Sequence, residues 1–332
     1  MPPKTLRIFF SLIIFLMPVL LRDSLAGERL IGIYSARVMS QSLPWIAQET
    51  GLFRKYDLDF DLVYVASSSL VTAAMLGGDG QVSLVGGEGV VRAYVQGAQD
   101  LVFIGAHKNI LTFDILGRAE IAKPQDLKGK KIGVTRMGSN SHYFTVQALA
   151  RYGIDPNRDV TFIYTGGVPE TLSVLASRGI DAAAFTAPTD QQALALGFRY
   201  IVQGPDLRIP YVAVGFATRR SVIATRPREL GQFMRAMAEA AKILHTDKEF
   251  TYRVLGKWLR VGDRKILEAA YNSEIKALEP RLAIKPESLQ SILDEVVKVD
   301  PRAKKVKPED LIDRRYIDEM ERSGFLSKLW SR

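Results

Sequence analysis

The chain has 332 residues, of which 47% are hydrophobic and 24% are charged, with a formal net charge of +9 and no cysteine. This balance is typical of a globular protein and excludes a disordered chain, and the length suits two domains of ordinary size. A sequence without cysteine excludes disulfides, a thiolate nucleophile and a lipid-bearing cysteine. The densest basic run, 302–307, has no interleaved aromatic residue, so it indicates a solvated surface rather than nucleic-acid binding.

The first 26 residues have the pattern of a secretory signal peptide. A basic start precedes an apolar run from Ile8 to Leu21, and the small residues Ser24 and Ala26 precede Gly27. A membrane anchor is the alternative, but about fourteen apolar residues interrupted by Pro18 are fewer than the ~20 that span a bilayer. We therefore predict cleavage before Gly27, a periplasmic location and a mature protein that is not tethered by lipid.

From Leu30 onward, short apolar runs alternate with segments of helical periodicity. In chain order, the predicted elements of the first unit are the strand LIGIYSA, a helix from Leu43 to Phe53, the strand LDFDLVYV, a helix from Leu70 to Leu76, the strand VSLV, a helix from Val90 to Gln96 and the strand LVFIGA. This alternation is typical of right-handed crossovers and of a mostly parallel, doubly wound sheet with flanking helices.

The pattern restarts after IAKPQDLKGK with four further strands, KIGVT, VTFIYT, DAAAFTA and YIVQG, separated by helices. VAVGFAT is one more strand, and all that follows it is predicted to be helical. The first of these later helices has a stripe of apolar residues at helical spacing, which predicts packing against a sheet. Its members are Leu230, Phe233, Met234, Met237, Ala241 and Leu244.

Two αβ units joined by two connections predict a two-lobed α/β protein with a cleft between the lobes and a hinge at the connections. The connections are predicted at Asp114 to Gln125 and at Pro205 to Val212. We assign residues 27–116 and 212–332 to lobe I with the C-terminal helices, and residues 117–211 to lobe II.

Ligands of doubly wound sheets bind beyond the carboxyl ends of the strands, where loops enter helix N-termini. Most loops at these positions are rich in Gly, Ser or Thr, which offer hydroxyls and close backbone approach. Helix capping alone is the alternative for each loop. The predicted ligand-binding residues are Ser35, Arg37, Ser67, Ser68, Gly87, Glu88, Arg136, Gly138, Ser139, Asn140, Ser141, Thr165 and Thr189.

The turn from Arg136 to Ser141 is the strongest of these candidates. Its backbone N–H groups are expected at the positive end of a helix, and Arg136 could supply a full charge to a carboxylate or sulfonate. Tyr34 and Tyr143 are candidates to stack on a ring. The alternative is that Arg136 points to solvent and Ser139 only caps the helix.

Catalytic and metal sites are not indicated. The three histidines, His107, His142 and His245, lack the spacing of a zinc site, and no Gly-x-Ser-x-Gly turn is present. Glu88 could receive an ammonium group, although an acid at a helix N-terminus is also favoured for structural reasons. We predict a protein that is not an enzyme and needs neither metal nor cofactor.

Three segments carry a resemblance to a known family: LPWIAQETGLFRKYDLDFDLV, DLKGKKIGVTRMGSNSHYFTVQALARYGIDPNRDVTFIY and TLSVLASRGIDAAAFTAP. They resemble the periplasmic solute-binding proteins of ABC importers in the NMT1/THI5-like group, relatives of sulfonate, taurine, nitrate and thiamine-precursor binders. The cysteine-rich motif of the pyrimidine synthases in this group cannot occur in a chain without cysteine.

From the loops we predict a small anionic organic solute, and from the two hinged lobes a monomer. The resemblance implies a type II periplasmic-binding-protein fold that closes on a small solute and delivers it to an ABC permease and its ATPase at the inner membrane. It does not identify the solute. Two alternatives stay open on the sequence alone: an enzyme on the same fold that acts on a small metabolite, and a solute sensor for a membrane receptor.

Overall fold

The computed structural model describes residues 29–331, so the predicted signal peptide lies outside the described residues. The chain forms two five-stranded sheets with orders β2-β1-β3-β10-β4 and β7-β6-β8-β5-β9. The strands of the first sheet are β1 (Leu30–Tyr34), β2 (Phe60–Tyr64), β3 (Val82–Val85), β4 (Leu101–Leu111) and β10 (Ile209–Arg219). Those of the second sheet are β5 (Asp114–Gly117), β6 (Lys131–Val134), β7 (Thr161–Tyr164), β8 (Ala182–Phe185) and β9 (Arg199–Val202).

The described helices cover both sheets. They are α1 (Leu43–Glu49), α2 (Leu52–Lys55), α3 (Ser68–Gly77), α4 (Gly87–Val95), α5 (Asn140–Arg151), α6 (Val168–Ala176), α7 (Thr189–Ala195), α8 (Gly204–Leu207), α9 (Arg220–Thr225), α10 (Pro227–Thr246), α11 (Lys248–Leu259), α12 (Arg264–Glu274), α13 (Pro286–Val296), α14 (Arg315–Arg322) and α15 (Phe325–Trp330). Short 3₁₀ turns lie at Met39–Gln41, Pro124–Leu127, Ile275–Ala277, Pro301–Lys305 and Pro308–Leu311. Between residues 29 and 331, no helix combines the length and the hydrophobicity needed to cross a lipid bilayer.

The two sheets share one topology, which confirms the predicted two-lobed α/β architecture. In each sheet the first three strands run parallel, and the fourth is antiparallel to both of its neighbours. We call the part built on the first sheet lobe I and the part built on the second sheet lobe II. Parallel strands bring their carboxyl ends to one edge, so the loops after β1, β2, β3 and after β6, β7, β8 gather at the sides where the lobes face each other.

The chain passes between the sheets at residues 112–113 and 203–208. β5 already pairs with β8 at Asp114, and β10 already pairs with β4 at Ile209. Strand pairing therefore places residues 114–116 on the sheet of lobe II and residues 209–211 on the sheet of lobe I, the reverse of the predicted boundaries. The crossings are shorter than predicted because the strands extend further into them, β4 and β10 being 11 residues long each.

The predicted helix from Leu43 to Phe53 forms as two helices, α1 and α2. Gly51 interrupts it with a φ of 71°, a left-handed conformation that glycine adopts without steric penalty. The apolar stripe of α10 is fully buried, as predicted: Leu230, Phe233, Met234, Met237, Ala241 and Leu244 have no exposed area. This long helix packs against α1, and its stripe belongs to the larger buried cluster, which includes residues of both lobes.

Candidate functional site

A small cavity lies between the lobes at the carboxyl ends of the strands. Its walls come from both sheets and from the first crossing. The lining residues are Ser35, Ala36, Val38, Ser40, Gln41, Ser67, Ser68, Lys108, Phe113, Thr135, Ser139, Asn140, Ser141, Gly167, Val168, Thr186, Ala213 and Val214. Most of the polar ones are neutral, and Lys108 is the one lining residue with an ionisable side chain.

The volume of the cavity, counted as the space open to the centre of a water molecule, is about 40 Å³. One water needs roughly 10 to 15 Å³ on this measure, so the cavity holds about three. In this arrangement of the lobes, the site accommodates a group of a few non-hydrogen atoms.

The lobe I wall is built around Gln41 and the first turn of α3. The side-chain carbonyl of Gln41 accepts the backbone N–H groups of Ser35 and Ala36, at 2.9 and 3.2 Å, and its amide donates to the Ser35 hydroxyl at 2.7 Å. The first intrahelical bond of α3 runs from Val71 N–H to Ser67 C=O, so the N–H groups of Ser68 and Ser69 precede it. The positive end of this ten-residue helix therefore lies at the cavity.

The lobe II wall is the first turn of α5, a helix of 12 residues. Ser139 is its N-cap and accepts the N–H of His142 at 3.3 Å. The Ser141 hydroxyl lies 3.0 Å from that of Ser139 and 3.1 Å from that of Thr135. The N–H groups of Asn140 and Ser141 precede the first intrahelical bond, which Tyr143 donates to Ser139. Two helix N-termini from opposite lobes thus meet at one cavity.

A buried ion pair lies beside the cavity. Lys108 of β4 and Glu274 of α12 are almost fully buried, with Nζ 2.7 Å from Oε2 and 2.8 Å from Oε1. The ammonium also donates to the Thr112 hydroxyl in the first crossing, and Thr186 of lobe II donates to Glu274 at 2.9 Å. Three acceptors surround the three protons of the ammonium, so the charge of Lys108 is matched within the protein.

Six of the thirteen predicted ligand residues line the cavity: Ser35, Ser67, Ser68, Ser139, Asn140 and Ser141. The other seven do not: Arg37, Gly87, Glu88, Arg136, Gly138, Thr165 and Thr189. For these seven, the structure places the side chain or the backbone in another contact or in solvent.

The glycine-rich loop after β3 serves packing. A Cβ at Gly87 would lie 2.5 Å from Ile292 of α13, so the glycine allows α4 and α13 to approach. Glu88 is buried and pairs with Arg92 one turn later at 2.9 Å. Burial raises the pKa of the Glu88 carboxyl, while Arg92 opposes that rise. These contacts fit the structural interpretation of Glu88, whose carboxylate does not line the cavity.

Other predicted ligand residues also lie outside the cavity. Arg136 is exposed at the strand end, and Arg37 lies over the ring of Tyr64, 4.8 Å from its centroid. The Thr165 hydroxyl donates to Val134 C=O at 3.1 Å, which ties the loop to β6. Arg136 was expected to supply the charge of the site, and this arrangement does not place it there.

Gly138 and Thr189 lie where the chain enters a helix. Gly138 has a φ of 70° in the turn before α5, and Thr189 is buried at the start of α7, where its N–H bonds to Thr186 C=O. The predicted stacking residues also have other partners. Tyr34 packs edge-on against Trp45, and Tyr143 packs against Tyr211.

The histidines are packing residues. His107 is fully buried, and burial lowers its pKa to about 3, so the ring is neutral and Nδ1–H donates to Ser40 C=O at 2.8 Å. His142 packs against Phe162, and burial lowers its pKa also. Within residues 29–331, no group of three or more His, Cys, Asp or Glu side chains has the geometry of a metal site.

Comparison with known proteins identifies the family. The profile of the NMT1-like family matches residues 34–258, which is more than half of the chain. The chain belongs to the NMT1-like family. The resemblance drawn from the three sequence segments is thereby confirmed. No curated protein matches the chain.

Among solved structures of similar fold, three are associated with different small molecules. The periplasmic nitrate-binding protein NrtA from Synechocystis matches with a TM-score of 0.73 and 13% identity, covering 89% of each chain. The alkanesulfonate-binding protein SsuA from Xanthomonas axonopodis, bound to MOPS, matches with a TM-score of 0.71 and 19% identity, covering 86% of this chain and 98% of the other. A cysteine-to-serine variant of DszB with biphenyl-2-sulfinic acid matches with a TM-score of 0.64 and 13% identity, covering 89% and 99%. At these identities, the likeness establishes that this NMT1-like protein has the periplasmic-binding-protein fold.

Sequence reasoning missed several residues of the site in this NMT1-like protein. Lys108, Gln41 and Thr186 line the cavity but were not predicted. Lys108 was missed because the predicted strand LVFIGA ends at Ala106, whereas β4 continues to Leu111. For Gln41 a signal was available. It is the single Gln in a segment rich in serine, Ser35 to Ser42, and an amide can satisfy the N–H groups of a sharp turn.

Proposed function

We propose that this NMT1-like protein is the non-catalytic binding subunit of an ABC importer, and that it captures a small anionic organic solute between its lobes for delivery to a permease and its ATPase. One observation carries the proposal: the N-termini of α3 and α5, one from each lobe, meet at one cavity. Each helix end is equivalent to roughly half a positive charge, and its unpaired N–H groups are donors to an anion.

The charge preference comes from the helix ends, since Lys108 is already neutralised by Glu274. Hydroxyls of Ser139 and Ser141 add uncharged donors around the same space. A carboxylate, sulfonate or nitrate presents several acceptor oxygens in a volume of a few atoms, which suits a cavity of about 40 Å³. An anion that bridges the lobes stabilises the closed state by its higher affinity for it.

Isothermal titration calorimetry tests the proposal with nitrate, acetate, methanesulfonate and ethanesulfonate, and with methanesulfonamide as an uncharged control. We expect at least one anion to bind with a Kd of micromolar order, which corresponds to about −8 kcal/mol, and the sulfonamide to bind far more weakly. Equal binding of the sulfonamide, or no binding of any anion to protein freed of ligand by unfolding and refolding, contradicts an anion site.

Ser141→Ala and Arg136→Ala form a matched pair for the same titration. Ser141 lines the cavity, whereas Arg136 is exposed outside it. Loss of affinity in Ser141→Ala alone assigns binding to the cavity described here. Loss of affinity in Arg136→Ala alone instead places the site at Arg136, as the sequence analysis expected.

The second candidate is an enzyme on the same fold, which the likeness to DszB favours. Against it, the described residues that line the cavity include no His, Asp or Glu, and the one ionisable group, Lys108, is held by three acceptors. Recovery of a bound solute unchanged after prolonged incubation supports a binding protein, and its chemical conversion supports the enzyme.

Export is part of the proposal. The predicted signal peptide, residues 1–26, is consistent with the periplasmic relatives NrtA and SsuA. We propose a monomer that closes on its solute, for which small-angle scattering should give a smaller radius of gyration with a bound anion.

A further inference from the structure

The side chain of Asn140 reaches from lobe II to lobe I. Its Oδ1 accepts the Tyr211 hydroxyl at 3.1 Å and the Ser68 hydroxyl at 3.4 Å, and its Nδ2 donates to Ala213 C=O at 2.8 Å. An amide has two donor protons and two acceptor lone pairs. Three of these four capacities are therefore satisfied by the opposite lobe, although the residue was expected to hold the solute.

Gly86 makes room for this contact. A Cβ at position 86 would lie 1.7 Å from Asn140 Oδ1, 2.6 Å from its Cγ and 2.9 Å from its Nδ2. The backbone of Gly86 has a φ of −75° and a ψ of 151°, an extended conformation open to any residue. Glycine is thus required here by the space that the Asn140 amide occupies and not by backbone conformation.

The hydroxyl groups of lobe I that bind the Asn140 amide are oriented by other hydrogen bonds within lobe I. Tyr211 is fully buried, and its hydroxyl accepts the N–H of Glu88 at 3.0 Å. Its single proton is thereby left to donate to Asn140. Ser68 likewise accepts the N–H of Gly86 at 3.3 Å and directs its own proton to the amide. These orientations do not depend on a solute in the cavity.

We propose that Asn140 and Gly86 form an interlobe latch that stabilises the closed state through the Asn140 side chain, while the solute contacts the N–H groups of the same helix turn. The inference rests on the proposed function, since a latch acts only between lobes that open and close. A latch changes the fraction of closed protein, so its loss weakens every solute by the same factor. Loss of a solute contact changes the affinities of different solutes by different factors.

The absence of cysteine allows a direct measurement of closure. Spin labels on Leu76→Cys at the exposed end of α3 and on Ala176→Cys at the exposed end of α6 report the distance between the lobes by pulsed electron resonance. The labels are placed in four proteins: the parent, Asn140→Ala, Gly86→Ala and the double variant. Gly262→Ala is the control, because a Cβ at Gly262 meets nothing within 4 Å.

We expect Asn140→Ala and Gly86→Ala each to move the distribution toward longer distances, with a loss in the closed-to-open ratio of roughly tenfold for Asn140→Ala, the upper range for a net hydrogen bond. Gly86→Ala should add no further opening in the Asn140→Ala background, because the three atoms that its Cβ meets are gone. Equal opening by Gly86→Ala in both backgrounds, or an unchanged distribution in Asn140→Ala, overturns the latch. Melting temperatures confirm that each variant is folded before it is measured.

Titrations with nitrate and methanesulfonate separate the latch from the proposed function. The latch predicts equal factors of loss for both probes in Asn140→Ala, and unequal factors identify a solute contact and overturn it. Lobes that open in Asn140→Ala while no anion binds the parent protein support the latch and reject the anion site. Binding of anions together with unchanged lobe distances rejects the latch alone.

Discussion

Removal of Lys108 should destabilise the protein more than any surface substitution, because it leaves the Glu274 carboxylate buried without its counter-charge. The side chains of Lys108 and Glu274 are 2% and 3% exposed. After Lys108→Met, the carboxylate keeps only the hydroxyls of Thr112 and Thr186 as donors. Breaking a buried pair in this way costs about 3 to 5 kcal/mol.

The double variant Lys108→Met/Glu274→Gln tests the cause of this loss. The glutamine amide keeps the shape of the Glu274 carboxylate and accepts the same hydroxyls, and no buried charge is left. Replacement of a whole buried pair by uncharged groups is often close to neutral, so the double variant should be more stable than Lys108→Met alone. Two substitutions that acted independently would instead add their losses.

Urea unfolding at pH 7 measures these differences, followed by circular dichroism and by the fluorescence of the stacked pair Trp45 and Trp258. Coincident transitions justify a two-state treatment of the two lobes. Lys298→Met is the matched control, since Lys298 forms an equally short pair with Glu295 at 2.7 Å but is 64% exposed. We expect the control to cost less than about 1 kcal/mol. If Lys108→Met costs no more stability than Lys298→Met, burial is not what makes loss of the Lys108 pair destabilising.

Arg136→Ala should leave anion affinity within about twofold of wild type, because the guanidinium lies outside the cavity, and calorimetry that finds a tenfold loss contradicts that placement. Burial raises the pKa of Asp114 to about 7, whereas the pKa of an Asp in the unfolded chain is near 3.9. The folded protein therefore keeps a proton that the unfolded chain releases. The contribution of Asp114 to stability is full below about pH 4 and is lost as the pH rises through 7. Asp114→Asn stays neutral and keeps an oxygen for the N–H of Gly204, so its melting temperature relative to wild type should rise from pH 4 to pH 7, and a constant difference would count against the shift. N-terminal sequencing of exported protein should begin at or within two residues of Gly27, and an intact Met1 would contradict cleavage.

The alternation of strands and helices along the chain and the two-lobed architecture could be predicted because they follow from local patterns. VSLV forms β3 with the predicted bounds, Val82–Val85, since four buried residues flanked by turns leave little choice. Parallel strands with helical crossovers then place the loops after β1, β2 and β6 at the facing edges. The serines and the asparagine of those loops were found for this reason.

Which side chains of a loop enter the cavity could not be predicted from the pattern. Arg136 and Ser139 lie three residues apart, yet one is exposed and the other lines the cavity. Lys108 depends on a partner 166 positions away along the chain, and a lysine in a strand is expected at the surface unless such a partner is known. The role of Gly86 likewise depends on Asn140 of the other lobe, which no local signal indicates.

The turn at the start of α5 combines two actions on neighbouring atoms. Its N–H groups lie ahead of the helix, where an anion is stabilised, while the amide of Asn140 contacts Ala213 and Tyr211 of lobe I. In this structure the amide reaches lobe I while the cavity between the lobes has a volume of about 40 Å³. The amide contributes the same contacts whichever small anion occupies the cavity, because its partners belong to lobe I and not to the solute. Asn140→Ala should therefore lower the affinities for nitrate and methanesulfonate by one common factor, and calorimetry that finds unequal factors would contradict a role confined to the contact between the lobes.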